Sequence, residues 1–316
     1  MTSIYTLAEI DAVLPRVNII DEITQGFIAF SRGDVDVPAV GELLFPDNSG
    51  ELHIKYGAIK NDEVFVVKLA TGFFKNPAIG LPPFGGCMIV LSQKTGAIEA
   101  VLLEEGELTN HRTAAAGAVA ALALAPKQLT AIGIVGTGVQ ARMQADYLRR
   151  VTECRNLYIW GRDTEATKAA AADIGAMGFE VSIADSLDTL CEHARLIVTT
   201  TAAEAPLLTL PMIRPGTHIT AMGSDTAEKN EIASDILESA DLVVADSRAQ
   251  SEHRGEIYQA CKAGYLLRNN VVELGEVLSR TTPGRTSDEQ ITIVDLTGVA
   301  VQDIAIAKAV LKQLRL

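Results

Sequence analysis

The chain contains 316 residues, of which 48% are hydrophobic and 21% are charged, and its formal net charge is −13. This length predicts two domains, and the composition is typical of a soluble globular protein. The negative charge argues against nucleic acids and anionic membranes as partners, because both bind basic surfaces. The N-terminus has neither a basic segment nor a long apolar core, which argues against a secretory signal.

The cysteines are widely spaced, with no C-x-x-C pair and no nearby histidine pattern: Cys87, Cys154, Cys191 and Cys261. The sequence therefore predicts no structural metal site and no disulfide framework. Reduced thiols of this kind indicate a cytoplasmic protein.

In chain order, a helix comes first, because apolar residues recur at helical spacing from Ile10 to Ile23. Segments rich in β-forming residues follow, separated by Gly and Pro: 52–56, 64–69, 87–92 and 97–103. This order predicts an α+β domain with a mainly antiparallel sheet. A helix over about 109–124 then leads into the second half of the chain.

From residue 130 to 246, short apolar runs alternate with helical stretches. The predicted strands are 131–136, 156–160, 179–184, 195–200, 216–222 and 241–246, and the predicted helices lie near 140–151, 163–176, 186–193, 228–239 and 247–262. Such alternation predicts a doubly wound parallel sheet of the Rossmann type. The C-terminus adds a strand, 292–296, and a helix, 302–314, which we expect to pack near the first domain.

A glycine pattern, G-x-G-x-x-A, lies between the first strand and the first helix of this region. Gly136 permits the tight turn, Gly138 lets the backbone approach a pyrophosphate, and Ala141 keeps the helix close to the strand. The pattern predicts a site for NAD or NADP. The expected contacts come from Gly136, Thr137, Gly138, Val139 and Gln140, and from Thr199, Thr200 and Thr201 at the end of the fourth strand. The alternative is a glycine turn in a Rossmann-like domain without cofactor.

The second strand of this region is followed by Gly161, Arg162 and Asp163. An acidic residue at this point binds the ribose 2′-OH of NAD, whereas an arginine accommodates the 2′-phosphate of NADP. Arg162 therefore favours NADP slightly. Asp163 lies one position later, where it is equally suited to capping the next helix, so the pattern leaves both cofactors open.

Three charged residues occupy unusual positions. Lys68 lies in an apolar strand, where it either reaches the solvent face or points towards a compensating anion. Arg112 lies near a helix start, which the helix dipole disfavours, and its planar fork suits a carboxylate or an ion pair between domains. Asp225 follows a strand at its carboxyl end, where α/β sheets bind ligands, or it caps the next helix.

Five segments together resemble the ornithine cyclodeaminase/mu-crystallin family over nearly the whole chain. They are Lys68 with the following Asn76-Pro77, and residues 108–115, 136–141, 223–231 and 295–303. The resemblance implies a cofactor-binding Rossmann domain, placed at residues 116–295. It also implies a domain for substrate binding and dimerisation, placed at residues 1–115 with 296–316.

Members of this family act on α-amino acids, α-imino acids or cyclic imines, and some are lens or hormone-binding proteins. The resemblance implies that Lys68 contacts the substrate carboxylate. It also implies that Asp225 performs acid/base work or stabilises an iminium ion. Glu231, at the end of the same segment, is expected to be structural.

The chain departs from the family at one point. Many members carry an arginine after a proline in the segment aligned with residues 37–43, where this chain has Glu42. Lys55 is the candidate replacement, and His53 lies on the same strand face. With Lys68 and Arg112, these residues suit a substrate with two carboxylates. The alternative is an ordinary solvated strand face.

We therefore expect NAD(P)H-dependent reduction of an α-imino acid, with Lys68 and Arg112 holding the α-carboxylate and Asp225 stabilising the protonated imine. Segments 41–45, 53–57 and 102–109 look like the bacterial branch that contains iminosuccinate reductase, which makes aspartate. The alternatives are an ornithine cyclodeaminase, which uses NAD catalytically, and a crystallin-like binding protein without turnover. The expected partners are a small imino or amino acid and a second copy of the chain.

Overall fold

The structure, a computed structural model, describes residues 2–316 apart from the side chain of Arg268. The chain forms two compact units. The first extends to Arg112 and resumes with Val299–Leu316, and the second is Thr113–Gly298. The sequence analysis placed the two boundaries after residues 115 and 295.

The first unit is built around a mainly antiparallel sheet. Its elements are β1 (Ser3–Tyr5), α1 (Leu7–Val13), α2 (Ile19–Ser31), β2 (Val35–Asp36), β3 (Gly41–Phe45), β4 (Gly50–Ile59), β5 (Val64–Phe73), β6 (Phe84–Ser92), β7 (Ile98–Leu102) and the start of α3 (Glu107–Leu124). From Thr113 onward, α3 belongs to the second unit. The strand order is β1-β7-β6-β5-β4-β2, and β3 also pairs with β4. β1 runs parallel to β7, and the remaining pairs are antiparallel. This confirms the predicted α+β architecture.

The core of the first unit lies on one face of this sheet. Along β5, Val64, Val66 and Lys68 alternate onto the buried face. The C-terminal helix, Ala300–Leu314, packs against α2 and against the central strands β4, β5 and β6. The last segment of the chain therefore completes the core that the first segment begins.

The predicted first helix is wrong as one continuous element. α1 ends at Val13, residues Leu14–Arg16 form a 3-10 turn around Pro15, and α2 begins at Ile19. Proline has no N–H and clashes with the preceding turn, so it interrupts the helical periodicity. Asn18 caps the new helix by accepting a hydrogen bond from the N–H of Asp21 at 3.5 Å.

The second unit is a doubly wound parallel sheet, as predicted. Its elements are β8 (Ile132–Val135), α4 (Val139–Leu148), β9 (Asn156–Trp160), α5 (Thr164–Ala176), β10 (Glu180–Ile183), α6 (Leu187–His193), β11 (Leu196–Thr199), β12 (His218–Ala221), α7 (Ser234–Ser239), β13 (Leu242–Ala245), α8 (Gly255–Lys262), β14 (Val271–Glu273), α9 (Leu274–Leu278) and β15 (Thr292–Asp295). The C-terminal helix is then α10. The strand order is β10-β9-β8-β11-β12-β15-β13-β14, so β15 enters between β12 and β13. The sequence analysis did not predict β14, which is too short to show a periodic pattern.

Two predicted helices of the second unit are shorter in the structure. The helix predicted at 228–239 begins only at Ser234, because Ile232 forms a parallel bridge with Leu208 instead. The helix predicted at 247–262 begins at Gly255, where φ is +89°. A Cβ atom at Gly255 would lie 2.4 Å from Oδ2 of Asp295, so only glycine fits at this point.

Among residues 2–316, no helix combines the length and the hydropathy that crossing a bilayer requires.

Candidate active site

Lys68 is fully buried in the sheet of the first unit. Its Nζ lies 2.7 Å from Oδ1 of Asp303 in α10, and Nε of Arg112 lies 3.1 Å from the same oxygen. A buried ammonium is costly unless an anion compensates it. Lys68 therefore points towards an anion, and the alternative of a solvent-facing lysine is wrong.

Arg112 has a second partner in the same helix as Asp303. Its Nη1 donates to Oε1 of Gln302 at 2.8 Å. Gln302 and Asp303 both lie near the start of α10, in the same unit as Arg112. The observed pairing of Arg112 is therefore internal to the first unit, rather than the ion pair between domains that the sequence left open.

Glu104 completes this group, which we call the Lys68 cluster: Lys68, Glu104, Arg112, Gln302 and Asp303. Glu104 is buried just before α3, and its Oε2 accepts hydrogen bonds from the N–H groups of Leu108 at 2.8 Å and Thr109 at 3.2 Å. Burial raises the pKa of Glu104, and these backbone donors and the nearby Lys68 oppose the shift.

The protonation states of the ion pair follow from burial and from mutual attraction. Burial lowers the pKa of Lys68 to about 8, although the Asp303 carboxylate favours the charged ammonium. Burial alone would raise the pKa of Asp303, but the positive charges of Lys68, Arg112 and Lys55 hold it below its ordinary value. Asp303 therefore stays ionised, while Lys68 loses its proton more readily than an exposed lysine.

Four buried polar atoms of the Lys68 cluster make no hydrogen bond among the described residues: Oδ2 of Asp303, Oε1 of Glu104, Nε2 of Gln302 and Nε of Arg112, which meets Asp303 only as an ion pair. Leaving such an atom unsatisfied costs about 1–3 kcal/mol. These atoms are two acceptors and two donors, in a group that also holds two cations. This set is complementary to a small ligand that carries both a carboxylate and a protonated nitrogen.

Lys55 belongs with this cluster, whereas His53 has other partners. Lys55 on β4 lies directly opposite Lys68 on β5, and its charge contributes to the low pKa of Asp303. His53 lies between two carboxylates instead. Its Nδ1 is 3.5 Å from Glu42, and its Nε2 is 3.6 Å from Glu51. The substrate-binding role of His53 stays a prediction that these contacts do not favour.

The glycine turn after β8 forms one wall of a cleft in the second unit, which we call the dinucleotide cleft. It is lined by Gly136, Thr137, Gly138, Trp160, Gly161, Arg162, Asp163, Thr200, Thr201, Ala203 and Leu207. Gly136 has a φ of +127°, and a Cβ there would lie 2.4 Å from Oγ1 of Thr200. A Cβ at Gly138 would meet no atom within 4 Å, so the space in front of this backbone is open.

The turn therefore fits a dinucleotide. Gly138 is the N-cap of α4 and offers no side chain to the helix terminus. The partial positive charge of that terminus would attract a pyrophosphate. Val139 and Gln140 form the first turn of α4, so their backbone belongs to this terminus although their side chains do not line the cleft.

Arg162 and Asp163 both line the cleft, but they differ in their local role. Oδ1 of Asp163 accepts a hydrogen bond from the N–H of Ala166 at 2.8 Å and caps α5. Arg162 is exposed at the end of β9. The capping role that the sequence offered for Asp163 is confirmed, whereas the exposed Arg162 lines the cleft without capping the helix.

The predicted role of Thr199 in lining the cleft is wrong. Thr199 is fully buried, and its hydroxyl donates to Oε2 of Glu231 at 2.7 Å. Glu231 also accepts from the N–H of Thr201 at 2.6 Å and of Gly223 at 2.9 Å. Burial raises the pKa of Glu231 to about 7. Glu231 thus joins the ends of β11 and β12, in agreement with its predicted structural role.

Asp225 lies in the loop after β12. Its carboxylate is half-exposed and lies 2.5 Å from Nζ of Lys229, and its backbone oxygen accepts a hydrogen bond from Arg254. The next helix begins at Ser234 and is capped by Ala233. Asp225 is therefore not the helix cap that the sequence left as an alternative.

The sequence analysis missed Glu104, Gln302 and Asp303. A local signal existed for the last two, because Gln302-Asp303 interrupts an otherwise apolar stretch at the start of α10, and both side chains are buried. A charged residue inside an apolar helix face indicates a buried partner. Glu104 lies in a run of acidic residues, where nothing distinguishes it from its neighbours.

Comparisons with known proteins agree with this geometry. A family model described as the ornithine cyclodeaminase/mu-crystallin family matches residues 2–315. A protein of Sinorhizobium fredii, named an uncharacterised cyclodeaminase, is 42% identical over 275 residues, which cover 86% of this chain and 83% of that protein.

Two solved structures share the fold. An archaeal alanine dehydrogenase dimer with bound NAD has a TM-score of 0.90 at 31% identity, over 99% of this chain and 95% of that chain. The iminosuccinate reductase of Paracoccus denitrificans in complex with NAD+ has a TM-score of 0.90 at 28% identity, over 99% and 96% of the two chains. With its Rossmann unit, its Lys68 cluster and this match over nearly its whole length, the chain belongs to the ornithine cyclodeaminase/mu-crystallin family.

Proposed function

We propose that this oxidoreductase reduces an α-imino acid to the corresponding α-amino acid with NADH or NADPH. The observation that carries the proposal is the Lys68 cluster. Two buried cations lie there, and four polar atoms of the cluster make no hydrogen bond among residues 2–316. An α-carboxylate and a protonated imine nitrogen would supply the complementary acceptors and donors. The two structural relatives are named for an amino acid and an imino acid of this class.

Lys68 and Arg112 bind the α-carboxylate in this proposal. A carboxylate that leaves water loses several kcal/mol of solvation unless charged partners replace it. The planar guanidinium of Arg112 matches the two oxygens of a carboxylate, and Lys68 adds a point charge. Holding the carboxylate at two points fixes the adjacent imine carbon for reaction.

The dinucleotide cleft binds the cofactor. The backbone at Gly136 and Gly138 and the N-terminus of α4 would hold the pyrophosphate, and Thr200 and Thr201 also line the cleft. When bound, NAD(P)H supplies the hydride that reduces the imine.

Asp225 stabilises the protonated imine. Its half-exposed carboxylate lies beside the ammonium group of Lys229. A carboxylate beside an iminium lowers the free energy of the cation, which accepts hydride more readily than a neutral imine.

Removing either cation should abolish most activity. We expect Lys68→Met and Arg112→Met each to lower kcat/KM by about tenfold or more, because a charge-assisted contact is worth roughly 1.5–3 kcal/mol. NADH fluorescence should show unchanged cofactor binding. The matched control is Lys94→Met, since Lys94 is exposed in a turn of the same unit. Near-normal kcat/KM in a folded Lys68 or Arg112 variant would contradict the assigned role.

An ornithine cyclodeaminase is the second candidate, because the relative from Sinorhizobium fredii is named a cyclodeaminase. The two activities differ in their use of cofactor. A reductase consumes one NAD(P)H per product, whereas a cyclodeaminase releases ammonia from ornithine without net change in NAD. A crystallin-like protein would bind cofactor without turnover, and the complete Lys68 cluster argues against it. Following NADH absorbance with 2-oxo acids plus ammonia, and ammonia release from ornithine, separates the three.

Within this reaction class, we propose iminosuccinate as the substrate and aspartate as the product. Lys55, Lys68 and Arg112 provide three positive charges against the carboxylates of Asp303 and Glu104. If both carboxylates are ionised, the group has a net charge of one positive. If Glu104 is protonated, which burial favours by raising its pKa, the net charge is two positive. Lys55 on β4 lies directly opposite Lys68 on β5, so it adds a positive charge beside the Lys68 cluster that suits a second carboxylate.

Lys55→Met should affect dicarboxylic imines selectively. We expect kcat/KM with oxaloacetate plus ammonia to fall about tenfold, because a second carboxylate would lose its paired cation. Activity with pyruvate plus ammonia should change little and serves as the internal control. Equal losses on both substrates, or a wild-type enzyme that prefers pyruvate, would remove iminosuccinate and leave the broader imino-acid reductase.

Arg162 should set the preference for NADPH. We expect Arg162→Ala to weaken NADPH binding by about tenfold and to leave NADH binding within about twofold, because only NADPH carries the 2′-phosphate. Fluorescence titration with both cofactors measures the ratio. An equal loss of affinity for the two cofactors would show that other groups bind the ribose.

A homodimer is also part of the proposal. The first unit exposes large apolar side chains on β3 and on the segment from β5 to β6: Leu43, Leu44, Phe74, Ile79, Leu81 and Phe84. The rings of Phe74 and Phe84 lie 5.9 Å apart, so part of this surface is continuous. An exposed apolar patch of this kind marks an interface, and the archaeal alanine dehydrogenase is described as a dimer.

Light scattering should therefore give twice the chain mass of 33.6 kDa. We expect the double variant Leu44→Lys/Phe84→Lys to be monomeric at micromolar concentration, because two buried charges would oppose association. Leu267→Lys, at an exposed leucine of the second unit, is the matched control. An unchanged dimer in the double variant would place the interface elsewhere.

A further inference from the structure

Asp303 links both proposed carboxylate ligands through one atom. Its Oδ1 lies 2.7 Å from Nζ of Lys68 and 3.1 Å from Nε of Arg112. Both cations are buried, on β5 and α3 respectively. Two positive charges that share one neighbouring oxygen in a site of low dielectric repel each other strongly. The carboxylate of Asp303 between them offsets this repulsion and allows them to lie side by side.

The start of α10 is suited to this task. Asp303 lies in the first turn of the helix, where the helix dipole stabilises a negative charge. The preceding residue, Gln302, receives Nη1 of Arg112 at 2.8 Å, which fixes the guanidinium at a second point. One helix turn therefore orients both cations, and the helix is itself packed against the sheet that carries Lys68.

We propose that Asp303 is a positioning residue that holds the Lys68 ammonium and the Arg112 guanidinium side by side and charged, as a preformed site for the α-carboxylate. The inference rests on the proposed function, because it takes the ligand of the two cations to be an α-carboxylate. Asp303 acts through Lys68 and Arg112 and has no role in proton or hydride transfer.

The charges that face Lys68 support this role. Burial lowers the pKa of Lys68, and the charge of Arg112 lowers it further. Lys55 on β4 lies opposite Lys68. Asp303 and Glu104 oppose these effects, and Asp303 is the stronger of the two. On β6, the residue opposite Lys68 is the uncharged Met88. Without Asp303, only Glu104 would favour the ammonium, so Lys68 would lose its proton at a lower pH.

The experiment compares Asp303→Asn with the wild-type enzyme saturated with NADH. We expect KM for the imino acid to rise about tenfold or more, with a smaller change in kcat, because the lost interaction is one of substrate binding. The alkaline limb of kcat/KM should move to lower pH by about one unit or more. The proposal would be overturned if the folded Asp303→Asn enzyme kept both the wild-type KM and the wild-type pH profile of kcat/KM.

Two further variants separate the charge of Asp303 from its position. Asp303→Glu retains the charge at a displaced position, so the limb should stay at its wild-type pH while KM rises. Glu104→Gln removes the weaker anion and should move the limb less than Asp303→Asn does. If Asp303→Asn fails to fold, an unchanged KM in Asp303→Glu still refutes the positioning role.

A readout without turnover separates this proposal from the proposed function. NMR of 13C-labelled lysine side chains, with Lys68→Met to identify the signal, measures the pKa of Lys68 directly. We expect a lower value in Asp303→Asn than in wild type. If the wild-type enzyme reduced no imine, the proposed function would fail. An unchanged pKa of Lys68 in Asp303→Asn would overturn the role of Asp303 whatever the substrate.

Discussion

A buried ammonium needs an anion within a few ångströms, and here the anion comes from the opposite end of the sequence. Asp303 lies 235 residues after Lys68, and the two form a 2.7 Å contact. The C-terminal helix must therefore return to the sheet of the first unit, with its first turn against β5. Leaving one buried charge without its partner costs about 3–5 kcal/mol. The same contact thus fixes the chain's return and places the cations that would bind a substrate.

The second unit meets a related constraint with carboxylates. The segments that follow its strands lack regular pairing, so their buried N–H groups need acceptors. Glu231 accepts from Thr201 and Gly223, and Glu256 accepts from the N–H groups of Glu231 at 2.7 Å and Ile232 at 3.2 Å. Burial raises the pKa of both carboxyl groups. These acceptors hold the backbone of Glu231 and Ile232 outside a helix. The helix predicted at 228–239 therefore begins only at Ser234.

The sequence predicted the parts of the structure that depend on local patterns. Gly136 and Gly138 marked the turn after β8, and alternation of apolar runs marked the Rossmann sheet. Pro15 is a residue that interrupts helices, yet the apolar periodicity on both sides of it predicted a single helix. Asp303 was different, because an ion pair across most of the chain leaves no pattern near Lys68. The role of Lys68 could be expected from the family resemblance, but its partner required the fold.

Asp303 and Asp225 each contact a lysine, and the two aspartates differ in how deeply they are buried. The Asp303 side chain is 2% exposed and its pair is enclosed, whereas the Asp225 side chain is 50% exposed beside Lys229. Exposed pairs contribute about 0–1 kcal/mol, so they exchange partners at little cost. A group that must meet a cationic substrate in each turnover has to be able to change partners. A group that keeps two cations in place must not. The exposure of Asp225 is compatible with the role proposed for it, and the burial of Asp303 fits the positioning role proposed for it.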